Sequence, residues 1–286
     1  MKRFVLLAAL VLGLSQQVSA IPPEWTNAFP PFRIAGNLYY VGSEDLAAYL
    51  IVTPQGNILI NGNLASSPPQ IRKSIEQLGF KFRDTKILLI SHGHYDHAGG
   101  SAAIKRLTAA KYEVMDGDVP VIESGGRNDF QFAHDKTMWF PPAHVDRVLH
   151  DGDTVRLGGT VLTAHKTAGH TKGTTTWTMD VHEAGKTLHV VIVGSPNVLD
   201  SYKLVRNPTY PRIAEDFQHQ FAVLKTLPCD IFLSAHGGNF DLKSFYRRVQ
   251  NHEPNPYPSQ HDYQSFVAER EAAFQANLKR QQASGK

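Results

Sequence analysis

His92, Gly93, His94, Tyr95, Asp96 and His97 bring three imidazoles and one carboxylate into six residues. Imidazole nitrogen and carboxylate oxygen are the donors zinc takes where thiolates are absent. Crowding such costly polar groups at one point has little packing rationale, so the pattern HxHxDH reads as a metal-binding segment. With one residue between them in extended backbone, His92 and His94 point the same way and reach one ion. Asp96 and His97 lie on the turn that follows and aim at a neighbouring point, which makes the segment half of a two-metal site.

Such a site needs further ligands, and two histidines stand in comparable settings. His170 sits in Thr167-Ala168-Gly169-His170-Thr171-Lys172-Gly173, a glycine-flanked turn between two β-like runs. His236 sits in Leu233-Ser234-Ala235-His236-Gly237-Gly238, directly after a short apolar run. The chain has 14 histidines, and most carry no such signal. His165 falls within a strand and reads as a core histidine or as a support behind a ligand. His144, His150, His182, His189, His219, His252 and His261 lack turn glycines and partners and read as structural or solvated.

The elements that must position these groups are legible from periodicity. The apolar run Ile87 to Ile90 is a buried strand that delivers the motif, and Gly99 and Gly100 allow a sharp turn into the next element. Before it, Leu38–Val41, Ala47–Val52 and Asn57–Ile60 form an antiparallel meander separated by turn residues. Ser67 and Pro68 open a helix whose Ile71, Ile75 and Leu78 share one face. After the motif come a helix over Ser101–Ala110 and a strand over Lys111–Met115, so the organisation is α/β.

Gly125–Ala143 is irregular and carries Phe130, Phe132, Trp139 and Phe140, a long loop that either covers a cleft or packs on the domain. Strands resume over Thr154–Leu157, Val161–His165, Thr174–Met179 and Leu188–Val193. Helical patterns over Ile213–Leu227 and Leu242–Val249 flank a short strand at Ile231–Leu233, and a last helix carries Phe266 and Phe274. Two meanders, each followed by helices, suggest a duplicated architecture, and no linker is long enough to split residues 21–286 into two domains.

Bulk properties set the context. A chain of 286 residues with 42% hydrophobic and 19% charged residues is ordinary globular material. A formal charge of +3 without clustered Lys, Arg and aromatics gives no reason to expect nucleic acid as a partner. Lys2 and Arg3, the apolar run Phe4–Leu14 and the small residues Val18-Ser19-Ala20 predict a signal peptide over residues 1–20 and a periplasmic or secreted protein. No later segment approaches a membrane span, and a monomer is expected. The lone Cys229 cannot form an internal disulfide and reads as a small buried residue.

HxHxDH followed by His170 and His236 resembles the metallo-β-lactamase superfamily, over about Gly36 to Phe245. The resemblance implies a four-layer αββα sandwich with the metals at the edge shared by its two sheets. Many members carry a bridging aspartate, and one group of lactamases a cysteine, where Ile192-Val193-Gly194-Ser195-Pro196-Asn197 places Ser195. Serine there, with His97 as replacement ligand, resembles the third subclass of class B β-lactamases. Thr163-Ala164-His165, Gly169-His170-Thr171, Thr176-Trp177-Thr178 and Asn207-Pro208-Thr209-Tyr210-Pro211 are similar to that subclass as well.

That likeness implies two Zn2+ ions, the first held by His92, His94 and His170 and the second by Asp96, His97 and His236. It implies hydrolysis of the β-lactam ring of antibiotics by a metal-bound hydroxide, with Asp96 orienting the nucleophile. Ser195 and Asn197 would hold the substrate carboxylate, Asn197 standing where the subclass generally has a small hydroxylated residue. Asn61 stands where the family has a supporting aspartate, which leads to an expectation of weaker metal holding. A lactonase or thioesterase on the same fold is the alternative, against which the missing bridging aspartate argues. A secreted metal-binding protein without turnover would leave the aromatic loop without a role.

Overall fold

A computed structural model describes residues 21–285. The expected signal peptide, residues 1–20, lies outside the described residues. Among those described, no helix is long and apolar enough to cross a membrane.

Strand alternation builds the layers. In the first sheet Tyr49, Ile51, Ile58, Ile60, Ile87 and Leu89 face one apolar cluster, while the intervening Leu50, Leu59 and Leu88 face another. Burial on both faces requires a cover on each side. The helices Pro68–Gln77, Ser101–Thr108 and Val119–Ser124 supply one cover through Ile71, Ile75, Ile104, Val121 and Ile122. The second sheet supplies the other through Leu162, Ala164, Trp177 and Met179.

The first sheet runs in chain order: β1 (Phe32–Ala35), β2 (Leu38–Tyr40), β3 (Tyr49–Thr53), β4 (Gly56–Ile60), β5 (Thr85–Leu89), β6 (Lys111–Met115) and β7 (Arg147–Leu149). Its first four strands pair antiparallel and the rest parallel. The second sheet holds β8 (Thr154–Leu157), β9 (Thr160–Lys166), β10 (Thr175–Glu183), β11 (Lys186–Val193) and β12 (Ile231–Ser234), in the order 12-11-10-9-8. Helices Ile213–Leu224 and Gln260–Ala283 cover its far side, with Phe217 stacked on Phe274 at 5.3 Å and Phe232 against Phe266 at 5.1 Å. The arrangement is the αββα sandwich that the resemblance implied.

The expected elements are present with shifted ends, and β1, β7 and the helices Pro23–Thr26 and Val119–Ser124 are additions. All four are short, so none carries a readable period. Gly125–Ala143 is irregular apart from one 3-10 turn at Lys136–Met138. Cys229 is buried at 4% exposure, as read from sequence.

Candidate metal centre

β5 ends at Leu89, and the next residues carry the motif across the edge of the sheet. His94 is still extended (φ −83°, ψ 157°), but Asp96 and His97 lie on a single helical turn, Tyr95–Ala98, and not in an open turn. The turn rotates the Asp96 and His97 side chains away from the His92–His94 direction, which is how four groups in six residues serve two points. Gly99 and Gly100 have ordinary helical φ of −56° and −79°, so left-handed freedom is not their role. A Cβ on Gly100 would lie 2.2 Å from the Gly62 carbonyl oxygen, and one on Gly99 2.4 Å from that of Tyr95. Close backbone approach selects glycine here.

The structure brings all six expected ligands together. His92, His94 and His170 offer donor atoms within 4.8 Å of one another, and all three are buried. A second group of His92, Asp96 and His97 meets the same limit, placing His92 between the two points. His236 completes the second point: its Nε2 lies 3.2 Å from His97 Nε2 and 3.6 Å from Asp96 Oδ2. Asp96 Oδ2 is in turn 3.2 Å from His97 Nε2. Two imidazole nitrogens facing each other beside a carboxylate fit ligands gathered around a cation, and the thiolate-free donor set suits zinc.

Four of the five imidazoles are faced from behind by a polar group, which fixes the nitrogen turned inward, whereas His97 Nδ1 is buried without a partner. His170 donates Nδ1–H to the Asn197 carbonyl at 2.7 Å. His236 donates Nδ1–H to Asp45 Oδ2 at 2.8 Å, and the Trp25 indole donates to the same oxygen at 3.1 Å. His92 Nδ1 meets the Ser91 hydroxyl at 3.2 Å, and His94 Nε2 faces Asp129 Oδ2 at 3.6 Å. A further carboxylate, Asp118, ties the two ligand-bearing segments together by accepting from the Gly93 and Gly173 amides and the Thr171 hydroxyl.

Sequence reading passed over Asp45, Asp118 and Asp129. Each lies far along the chain from its partner, and nothing in its neighbours marks it as a support for the site.

Burial and the crowding of imidazoles push His92 well below the usual histidine range and His170 down to about 3. His97 is also lowered, chiefly by burial and against the pull of Asp96. These three are therefore neutral, the form that binds metal. For His94 and His236 burial acts downward, but their carboxylate partners outweigh it and raise both. Asp96 resists its own burial because the surrounding histidines hold it far below the ordinary carboxylate range, so it is ionised.

Ser195 and Asn197 follow the end of β11. Ser195 is 3% exposed, and its carbonyl accepts from the Gln220 amide at 2.9 Å. Asn197 supports His170 through its main-chain oxygen, while its buried side-chain Oδ1 has no partner.

Asn61 corrects an expectation. It touches no ligand ring: Nδ2 donates to the Ala47 carbonyl and Oδ1 accepts the Ser91 amide. Its left-handed φ of 69° suits asparagine, and its role is to hold the backbone entering the motif. The structure gives no contact through which asparagine here would weaken a metal ligand.

His165 also departs from both readings offered for it, since it neither supports a ligand nor sits in the core. Its Nε2 bonds Thr178 Oγ1 at 2.8 Å, and it lines an 880 Å³ cavity with Thr163, Asp180 and His189 on the outer face of the second sheet. None of the six candidate ligands lines that cavity.

Fold and ligand constellation define one class: the chain belongs to the metallo-β-lactamase superfamily, whose description matches residues 46–184. Among solved structures, it is 56% identical to the native FEZ-1 metallo-β-lactamase from Legionella gormanii, covering 90% of this chain and 98% of that one at a TM-score of 0.89. It is 38% identical to the metallo-β-lactamase GOB-18 from Elizabethkingia meningoseptica (91% and 96% covered, TM-score 0.87). Identity to LRA-12, a class B3 di-zinc metallo-β-lactamase from an Alaskan soil metagenome, is 37% (91% and 98% covered, TM-score 0.86). A UPF0173 metal-dependent hydrolase of Anaeromyxobacter dehalogenans is 25% identical over 199 residues, 68% of this chain, and the match spans 64% of that relative's length.

Proposed function

We propose that this protein is a zinc-dependent β-lactamase of the class B3 type, exported and acting through residues 21–286 as one hydrolase domain. The observation that carries the reading is the pair of converging ligand sets, His92, His94 and His170 beside Asp96, His97 and His236. Likeness to FEZ-1 and to the di-zinc LRA-12 supports both the substrate class and a count of two ions.

When bound, zinc supplies Lewis acidity toward the lactam carbonyl and lowers the pKa of water toward 7. The chain's own part is positioning and charge. Asp96, ionised and buried among histidines, orients the attacking water and accepts its hydrogen bond. His170, braced by the Asn197 carbonyl, and His236, braced by Asp45, point Nδ1–H outward and so turn Nε2 toward the site. Asn197 lies beside His170, and its side-chain NH2 together with the Ser195 hydroxyl are the donors that would receive the substrate carboxylate. Hydrolysis by water needs no covalent enzyme intermediate, in keeping with the absence of SxxK or GxSxG arrangements in the sequence.

The test is hydrolysis of nitrocefin, a carbapenem and a lactone, each with and without EDTA. Chelator-sensitive lactam turnover is expected, abolished in His92→Ala and Asp96→Ala with the fold retained. Lactone turnover without lactam turnover would assign the same site to the other hydrolase class.

A further inference from the structure

Asp129 sits on the aromatic loop, is 5% exposed, and divides its carboxylate between two tasks. Its Oδ1 accepts the amides of Gln131 at 2.7 Å and Phe132 at 2.6 Å and so closes the turn that shapes the loop. Its Oδ2 is buried, has no hydrogen-bond partner, and lies 3.6 Å from His94 Nε2, itself buried without a partner. The Phe132 ring packs against the His94 ring at 5.5 Å, and Phe130 packs on Tyr202 and Tyr210 at 5.1 and 5.0 Å. A donor and a carboxylate, both desolvated and facing each other, are complementary once His94 carries its proton on Nε2.

We propose that Asp129 is a positioning residue that orients His94 for metal and, through the same carboxylate, couples the aromatic loop to metal occupancy. The inference rests on His94 being a metal ligand. Metal taken at Nδ1 requires the His94 tautomer protonated on Nε2, and Asp129 is the acceptor facing that proton. The docked loop therefore favours metal, and metal favours the docked loop by the same factor, because coupling between two equilibria is reciprocal. The long loop thus has a position set by the centre it flanks, in addition to its own packing.

The test uses the full chain, zinc alone as ligand, competition with a chromophoric chelator, and hydrogen exchange across residues 126–139. In the wild type, zinc is expected to slow exchange of the Gln131 and Phe132 amides and their neighbours. Asp129→Asn retains an oxygen for those amides but presents an NH2 group to His94. It is expected to lose roughly 10–100-fold in affinity for one zinc equivalent, with loop exchange no longer responding to zinc. Metal-free Asp129→Asn is expected to melt close to the wild type, which separates positioning from general support of the fold.

Wild-type loop exchange indifferent to zinc would overturn the proposal and needs no variant. Unchanged zinc affinity in Asp129→Asn would overturn it as well. His94→Ala is expected to lose one zinc equivalent. Retention of both equivalents there would instead remove the ligand assignment on which the proposal stands.

Discussion

Replacing Asp118 by asparagine isolates a buried charge whose contribution is readable from its surroundings. The carboxylate is fully buried and accepts three hydrogen bonds: Gly173 N–H on Oδ1 at 2.8 Å, Gly93 N–H and the Thr171 hydroxyl on Oδ2, both at 2.7 Å. Burial nevertheless pushes its pKa up from 3.8 to about 6, outweighing the Thr171 bond, the His94 charge and the two amides. A carboxyl raised on folding contributes stability that is complete below its unfolded pKa and is lost as pH rises through its folded pKa. A shift of about two pH units corresponds to ~3 kcal/mol, lost between about pH 4 and about pH 7.

Asparagine cannot titrate, so it lacks that pH dependence. It also turns an NH2 group toward Gly93 or Gly173, which costs ~1–3 kcal/mol at every pH. The expected result is a variant less stable than wild type near pH 4, with the balance moving by ~3 kcal/mol in its favour toward pH 7, enough to close or reverse the gap. Urea unfolding of both proteins, stripped of metal, across that range measures the difference, because groups not coupled to Asp118 cancel and His94, whose charge is coupled to it, titrates with it as one unit. Parallel stability curves would refute the reasoning. They would mean that the three donors, not burial, set the ionisation of Asp118.

Three other outcomes follow from named contacts. Asp45→Asn weakens the acceptor shared by His236 and Trp25, and chelator titration should show one zinc equivalent lost roughly 10–100-fold more easily and the other unchanged. Asn61→Asp sets an oxygen against the Ala47 carbonyl, now 3.1 Å from Nδ2, and is expected to lower stability by ~1–3 kcal/mol in thermal melts while leaving zinc affinity intact. Cys229, buried and with its thiol pushed up to about 12, should resist iodoacetamide near pH 8 in the folded protein and react once urea unfolds it, as mass spectrometry will show.

What the sequence revealed about the site depended on clustering. His92, His94, Asp96 and His97 announce themselves because they are adjacent, and His170 and His236 because glycine and a strand end flank each. Strands written as short apolar runs, such as Ile58-Leu59-Ile60, are legible for the same reason: the signal lies within a few residues. β7 and the helix Val119–Ser124 are too short to show a period, and their places are set by neighbours. The Asn61 expectation carried a family position over to this chain, but the side chain found there bonds backbone on both sides.

The supporting carboxylates were illegible because their partners are distant in sequence, and that distance has a consequence for the centre. His236 is braced from the N-terminal side of the chain, by Asp45 and through it Trp25, 191 residues away in the case of Asp45. His94 is faced by Asp129 on the aromatic loop, while Asp118 ties its segment to that of His170. The two ligand sets share His92 as a neighbour but lean on different parts of the fold. A perturbation of the loop should therefore loosen the first set and spare the second, and one of the N-terminal segment the reverse. Joint loss of both zinc equivalents from either perturbation would mean that the sets behave as one rigid body, with the bridging position of His92 dominating the separate supports.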